Sequence, residues 1–78
     1  MGTIRRDGII FQIYPKDHLP IHAHVSLDRG RLVIAFEQRD VRVVKRLGSV
    51  RQADESKVLA VAREVYDAVV GEWRRMQG

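Results

Sequence analysis

All three histidines of the chain fall in one short run, Asp17-His18-Leu19-Pro20-Ile21-His22-Ala23-His24. A neutral imidazole ligates transition metals, and because histidine titrates near neutrality it also moves protons. Spacing decides what such a pair can do. His22 and His24 are two apart in an alternating stretch, so on a strand both point to one side, roughly 6.5–7 Å apart along it. That geometry offers two imidazoles to one ion, and neutral imidazole suits Zn, Cu, Fe or Ni. His18 precedes them in a loop that Pro20 stiffens, which makes His18 or Asp17 a candidate third ligand. Three protein ligands with an open fourth position define a catalytic-type zinc site.

The same residues support two other readings. In metal-free acid–base chemistry, two of His18, His22 and His24 serve as general acid and base. Arg31, Arg42, Lys16 or Tyr14 then answers the phosphate charge of an RNA substrate. In the third reading Asp17 orients His18 or caps the loop, Pro20 sets the turn, and His22 and His24 pack or touch a partner. The catalytic candidates are therefore His18, His22 and His24. The same three are the metal candidates, for Zn or another divalent transition metal, and the binding candidates are Tyr14, Asp17 and Arg31. The residues alone leave these alternatives open.

Strands must position this cluster. Residues 9–14 alternate, with Ile9, Phe11 and Ile13 on one face and Ile10, Gln12 and Tyr14 on the other. Residues 21–27 alternate more cleanly: Ile21, Ala23, Val25 and Leu27 face one way, His22, His24 and Ser26 the other. Asp28-Arg29-Gly30 reads as a three-residue hairpin loop with Gly30 at positive φ. In residues 31–37, Leu32, Ile34 and Phe36 face the core while Arg31, Val33, Ala35 and Glu37 face away. A fourth strand is expected at about 41–46. Asp7-Gly8 is a turn signal, and residues 3–6 are either a short extra strand or an arm.

Towards the C-terminus the period changes. Val58, Ala62, Val65, Val69, Trp73 and Met76 recur every three or four residues, the apolar stripe of one helix over about 54–77. Asp54 and Glu55 near its start and Arg74 and Arg75 near its end complement the helix dipole. Ser49 with Gln52, or Asp54, is the expected cap. Gly71 costs about 1 kcal/mol relative to alanine, for which close packing is one reason. The expected fold is α+β: an antiparallel sheet of three or four strands over 8–47, one face covered by the helix. The other face stays open and carries the histidines with Tyr14, Gln12, Ser26, Arg31, Ile10, Val33 and Ala35, a mixture that points to a partner or a second copy.

Composition bounds the rest. A chain of 78 residues is one domain with a thin core, and oligomerisation is a common remedy, so a homodimer is expected. With no cysteine there are no disulfides or thiolate ligands. No apolar run is long enough to span a membrane, and the N-terminus lacks a signal core, so a cytoplasmic protein of bacterial style is expected. The net charge is +4, with ten Lys/Arg against five Asp/Glu in residues 1–53. Such a basic half either attracts phosphate or an acidic partner or is a plain solvated surface. Aromatic stacking on RNA has little to work with, since Phe11 and Phe36 belong to the core side and only Tyr14 lies on the open face.

The run Tyr14-Pro15-Lys16-Asp17-His18-Leu19-Pro20-Ile21-His22-Ala23-His24 resembles the signature Tyr-x-x-Asp-His-x-Pro-Pro-His-Phe-His of a bacterial family of small proteins of unknown function. Thr3-Ile4 and Trp73 fit the same layout. Ile21 stands where that signature has its second proline, and Ala23 where it has phenylalanine. The first loosens the loop and the second removes a bulky contact. The resemblance implies a protein encoded beside another small protein in a toxin–antitoxin-like arrangement, with the histidine-bearing member as the toxin. It carries the matching positions Tyr14, Asp17, His18, Pro20, His22 and His24, and no defined activity.

Overall fold

The computed structural model describes residues 2–14 and 20–77. Strands β1 (Gly2–Arg6), β2 (Ile9–Ile13), β3 (His22–Ser26), β4 (Gly30–Glu37) and β5 (Asp40–Gly48) form one sheet. They lie in chain order, every neighbouring pair antiparallel. Helices α1 (Gln52–Glu64) and α2 (Tyr66–Gln77) follow. The sheet thus has five strands rather than three or four, and it begins at residue 2 rather than 8. Residues 2–6 pair with 9–13 in full register, from Gly2 opposite Ile13 to Arg6 opposite Ile9.

Turn chemistry sets these registers. Asp7 and Gly8 are both left-handed (φ 51° and 77°), the conformation whose twist matches a two-residue hairpin. Gln38 and Arg39 adopt the same conformation (φ 55° and 61°) between Glu37 and its partner Asp40. Neither is glycine, so each pays roughly 1–2 kcal/mol of steric cost. Gly30 is not the left-handed residue expected of it; that role falls to Gly8 and Gly48 (φ 73°). Gly30 lies inside β4, where a Cβ would sit 2.6 Å from the Leu47 carbonyl oxygen and 2.7 Å from that of Ser49. The glycine is needed for close backbone approach. Leu27 N–H donates to the Gly30 carbonyl (2.8 Å), so the β3–β4 loop shortens to Asp28-Arg29.

One face of the sheet makes the core. Phe11, Ile13, Ala23, Val25, Leu32, Ile34 and Phe36 are buried beneath Val58, Val61, Ala62, Val65 and Val69. Phe11 and Phe36 meet edge to face at 6.3 Å, the favoured geometry for aromatic pairs. Each large side chain so buried contributes about 1.5–3 kcal/mol. In β5 the register slips between Val33 and Ile34, which pair with Lys45 and Val43. Val44 is the extra residue of a β-bulge, 44% exposed. Beyond it, Lys45 changes face.

The helix expected over 54–77 is two helices. Val65 breaks it with φ −99° and ψ 12°, although neither glycine nor proline stands there. The cause is tertiary. Tyr66 is held by β4 and the β4–β5 turn: its ring lies 6.0 Å from that of Phe36, and its hydroxyl accepts the Arg39 N–H at 3.0 Å. The apolar stripe continues across the break, with Val65 N–H on Val61 O and Val69 N–H on Val65 O. The N-cap of α1 is Arg51, with no side-chain cap bond, rather than Ser49 or Asp54; Asp54 pairs with Arg51 instead (3.6 Å). At Gly71 a Cβ would meet nothing within 4 Å, so close packing does not explain it. Among the described residues no helix is long and apolar enough to cross a membrane.

Candidate functional site

The face of the sheet opposite the helices holds the histidines. Cross-strand pairing places one row across all five strands: Thr3 opposite Gln12, Gln12 opposite His24, His24 opposite Val33, and Val33 opposite Lys45. His24 is its centre. His22 pairs with Ala35, and Arg5 with Ile10 on the same face. Alternation along β3 alone puts His22 and His24 together, and their rings lie 5.5 Å apart. Tyr14 closes the group, its ring 4.9 Å from His24 in an edge-to-face contact and its hydroxyl 3.4 Å from Gln12 Oε1. Arg31 joins the same face opposite Ser26. Of the expected site residues, Tyr14, His22, His24 and Arg31 therefore share one surface. Asp17 and His18, with Lys16, lie outside the described residues.

One contact fixes chemistry. His22 Nδ1 lies 2.9 Å from the Pro20 carbonyl oxygen. A carbonyl only accepts, so Nδ1 carries the proton and the neutral ring holds its lone pair on Nε2. A backbone carbonyl on one ring nitrogen is the usual way an imidazole is oriented to use the other as base or ligand. Among the described residues no group of three histidine, cysteine or carboxylate side chains gathers around a metal position. Two imidazoles alone make half a tetrahedral site.

The centre of this face is more buried than an uncovered sheet requires. Ala35 is fully buried and Val33 nearly so, although both point away from the helices. Half-buried His22 and His24 flank them on one side. Cations flank them on the other, with Arg42 opposite Ala35 and Lys45 opposite Val33. Arg42 is tied to Glu37 at 2.7 Å. Arg5, Arg31 and Lys45 make no ion pair among the described residues. The result is an apolar and imidazole strip inside a cationic rim.

Lys45 escapes a reading by strict alternation, which places it with Val41 and Val43 on the core face; only the bulge reveals its side. A second feature absent from the sequence reading is a cleft of about 680 Å³ where Tyr66 and Arg74 of α2 approach Arg39. Its one sequence signal is a tyrosine directly beside the apolar helical stripe.

No match was found among curated proteins or among solved structures. A family model described as a domain of unknown function (DUF4160) matches residues 8–74. That span holds Tyr14, His22, His24, Arg31 and Lys45 and leaves only β1 and the ends outside. The chain belongs to this family, DUF4160.

Proposed function

We propose that this protein is one member of a two-protein system of the toxin–antitoxin type, and that its histidine-bearing sheet face docks a small acidic protein. The toxin–antitoxin part rests on the signature resemblance. The docking part rests on one observation: a sheet face with no helix over it among the described residues, apolar at its centre and rimmed by the cations Arg5, Arg31 and Lys45. Ile10 and Leu47, 41% and 42% exposed, extend the apolar strip outward. A desolvated centre with aromatic groups and a polar rim is the anatomy of a protein interface. The rim selects the partner's charge. Two copies of this chain face to face would oppose the same cations, so an acidic partner is favoured over a homodimer. RNA is the weaker fit, because Tyr14 alone supplies a ring for base stacking.

The test is coexpression with the small protein that the resemblance implies beside it, followed by size exclusion with light scattering. The expected result is a heterodimer that weakens at high salt and is lost in the Arg31→Glu/Lys45→Glu variant, whose melting temperature is unchanged. No complex, or one indifferent to charge reversal, contradicts the proposal.

A second reading, histidine-ligated metal, is favoured by the His22 orientation through the Pro20 carbonyl. It takes His22 and His24 as ligands, with His18 or Asp17 as the third. It predicts near-stoichiometric Zn, Cu, Fe or Ni in untagged protein by elemental analysis, absent from a folded His22→Ala/His24→Ala variant. The metal should also be lost in acid, because protonated imidazole cannot ligate. Metal-free wild-type protein would end this reading and leave acid–base use of the pair, read by RNA cleavage.

A further inference from the structure

The cleft at the end of the sheet adjoins the histidine face at Pro20, whose carbonyl holds His22, and opens towards α2. Its apolar part is Ile21, Phe36 and Val70; its polar part is Arg39, Tyr66 and Arg74. At about 680 Å³ it lies within the range of small-molecule sites, which pair apolar walls with a few placed polar groups. Two carboxylates also line it, Glu37 and Asp67, but Glu37 is occupied by Arg42. Arg39 and Arg74 make no ion pair among the described residues. Among the described residues that line it, two cations against Asp67 leave one positive charge in excess.

Two details show that the polar groups are placed. Arg39 is left-handed, as is Gln38 before it, where glycine would cost less. That backbone belongs to the two-residue turn and fixes where the Arg39 side chain leaves it. Tyr66 accepts the Arg39 backbone N–H, so its own phenolic proton is directed elsewhere.

We propose that this cleft binds a small organic monoanion, with its carboxylate received by Arg39, Arg74 and the Tyr66 hydroxyl and its apolar body resting on Ile21 and Val70, both half-buried. The aromatic edge of Tyr66 beside Phe36 favours a body with a ring.

The probe is 3-phenylpropionate, titrated into ¹⁵N-labelled full-length protein, with acetate and 3-phenylpropanamide as partial probes. The expected result is saturable binding in about the millimolar range or tighter, with shifts centred on Arg39, Tyr66, Val70 and Arg74. The neutral amide should bind about tenfold more weakly, since a hydrogen bond to a charged group is worth at least that factor. Acetate, which lacks the apolar body, should also bind more weakly. Arg74→Gln, an exposed position, should weaken 3-phenylpropionate about tenfold while the melting temperature holds. Equal affinity for amide and acid, equal affinity for acetate, or no saturable shifts in the cleft would each overturn the proposal.

Discussion

The β4–β5 turn should yield stability when its strain is removed. The double variant Gln38→Asn/Arg39→Gly installs the residue pair that two-residue hairpins favour in a backbone that already has the required φ of 55° and 61°. Each left-handed non-glycine residue costs roughly 1–2 kcal/mol, and asparagine and glycine relieve most of it. Glycine returns about 0.5–1 kcal/mol through the greater freedom of the unfolded chain. The net gain is about 1 kcal/mol. The Tyr66 contact survives, because it is made to the Arg39 backbone N–H. In a domain of this size that gain raises the melting temperature by about 4–8 °C. The assay is thermal and urea unfolding followed by circular dichroism. The β1–β2 turn supplies the mirror experiment. Gly8 has φ 77° and nothing within 4 Å of an added Cβ, so Gly8→Ala should cost about 1 kcal/mol for conformation alone. A double variant no more stable than wild type, beside a neutral Gly8→Ala, would refute the strain argument. The stabilised protein also lacks the Arg39 cation, so its gain should come with weaker anion binding in the cleft, the usual trade at strained sites.

Gly71→Ala should stabilise by about 0.5–1 kcal/mol, because the position is helical, exposed and open to a methyl group; a urea midpoint that does not rise would contradict this. Gly30→Ala should do the reverse and destabilise by several times RT, with a Cβ driven against the Leu47 and Ser49 carbonyls. Retention of the wild-type urea midpoint would show that the β4–β5 approach is slack. Stability should fall in acid. The Val41 N–H and then Arg63 hold the Asp40 carboxyl below its ordinary 3.8, and hydrogen bonds from Arg46 and Arg75 hold Glu55 and Glu72 below 4.5. A lowered carboxyl stabilises the fold above its ordinary value and loses that contribution as pH falls through the folded one. The melting temperature should therefore drop once pH passes below 4.5 and then 3.8, less so in the Arg46→Gln/Arg75→Gln variant, and a flat profile would deny these pairs any role.

Local patterns made most of this fold legible. The alternation around His22 and His24, with Arg31 across the next turn, was enough to put the site on one face. The Asp7-Gly8 signal was enough to turn the chain, yet Thr3-Ile4-Arg5-Arg6 has too few apolar positions to declare a strand; its pairing with β2 does so. The bulge at Val44 interrupts the period of β5, which blurs that strand in sequence and moves Lys45 to the histidine face. Val65 carries no breaking residue, and the division of the helix comes from the grip of Phe36 and Arg39 on Tyr66. Gly30, expected at positive φ, serves close backbone approach instead, because close approach and left-handed backbone both select glycine and only the register tells them apart. The cleft depends on residues from just before β3, the end of β4, the β4–β5 turn and α2, distant in sequence and without a shared period.

The central claim is that the histidine-bearing sheet face docks an acidic protein. The most direct measurement is amide-shift mapping of ¹⁵N-labelled protein as the proposed small acidic partner is added. The account predicts shifts over Ile10, Gln12, His22, His24, Arg31, Val33 and Lys45, with α1 and the outer surface of α2 unmoved. Shifts confined to the helices, or none at saturating partner, would contradict it.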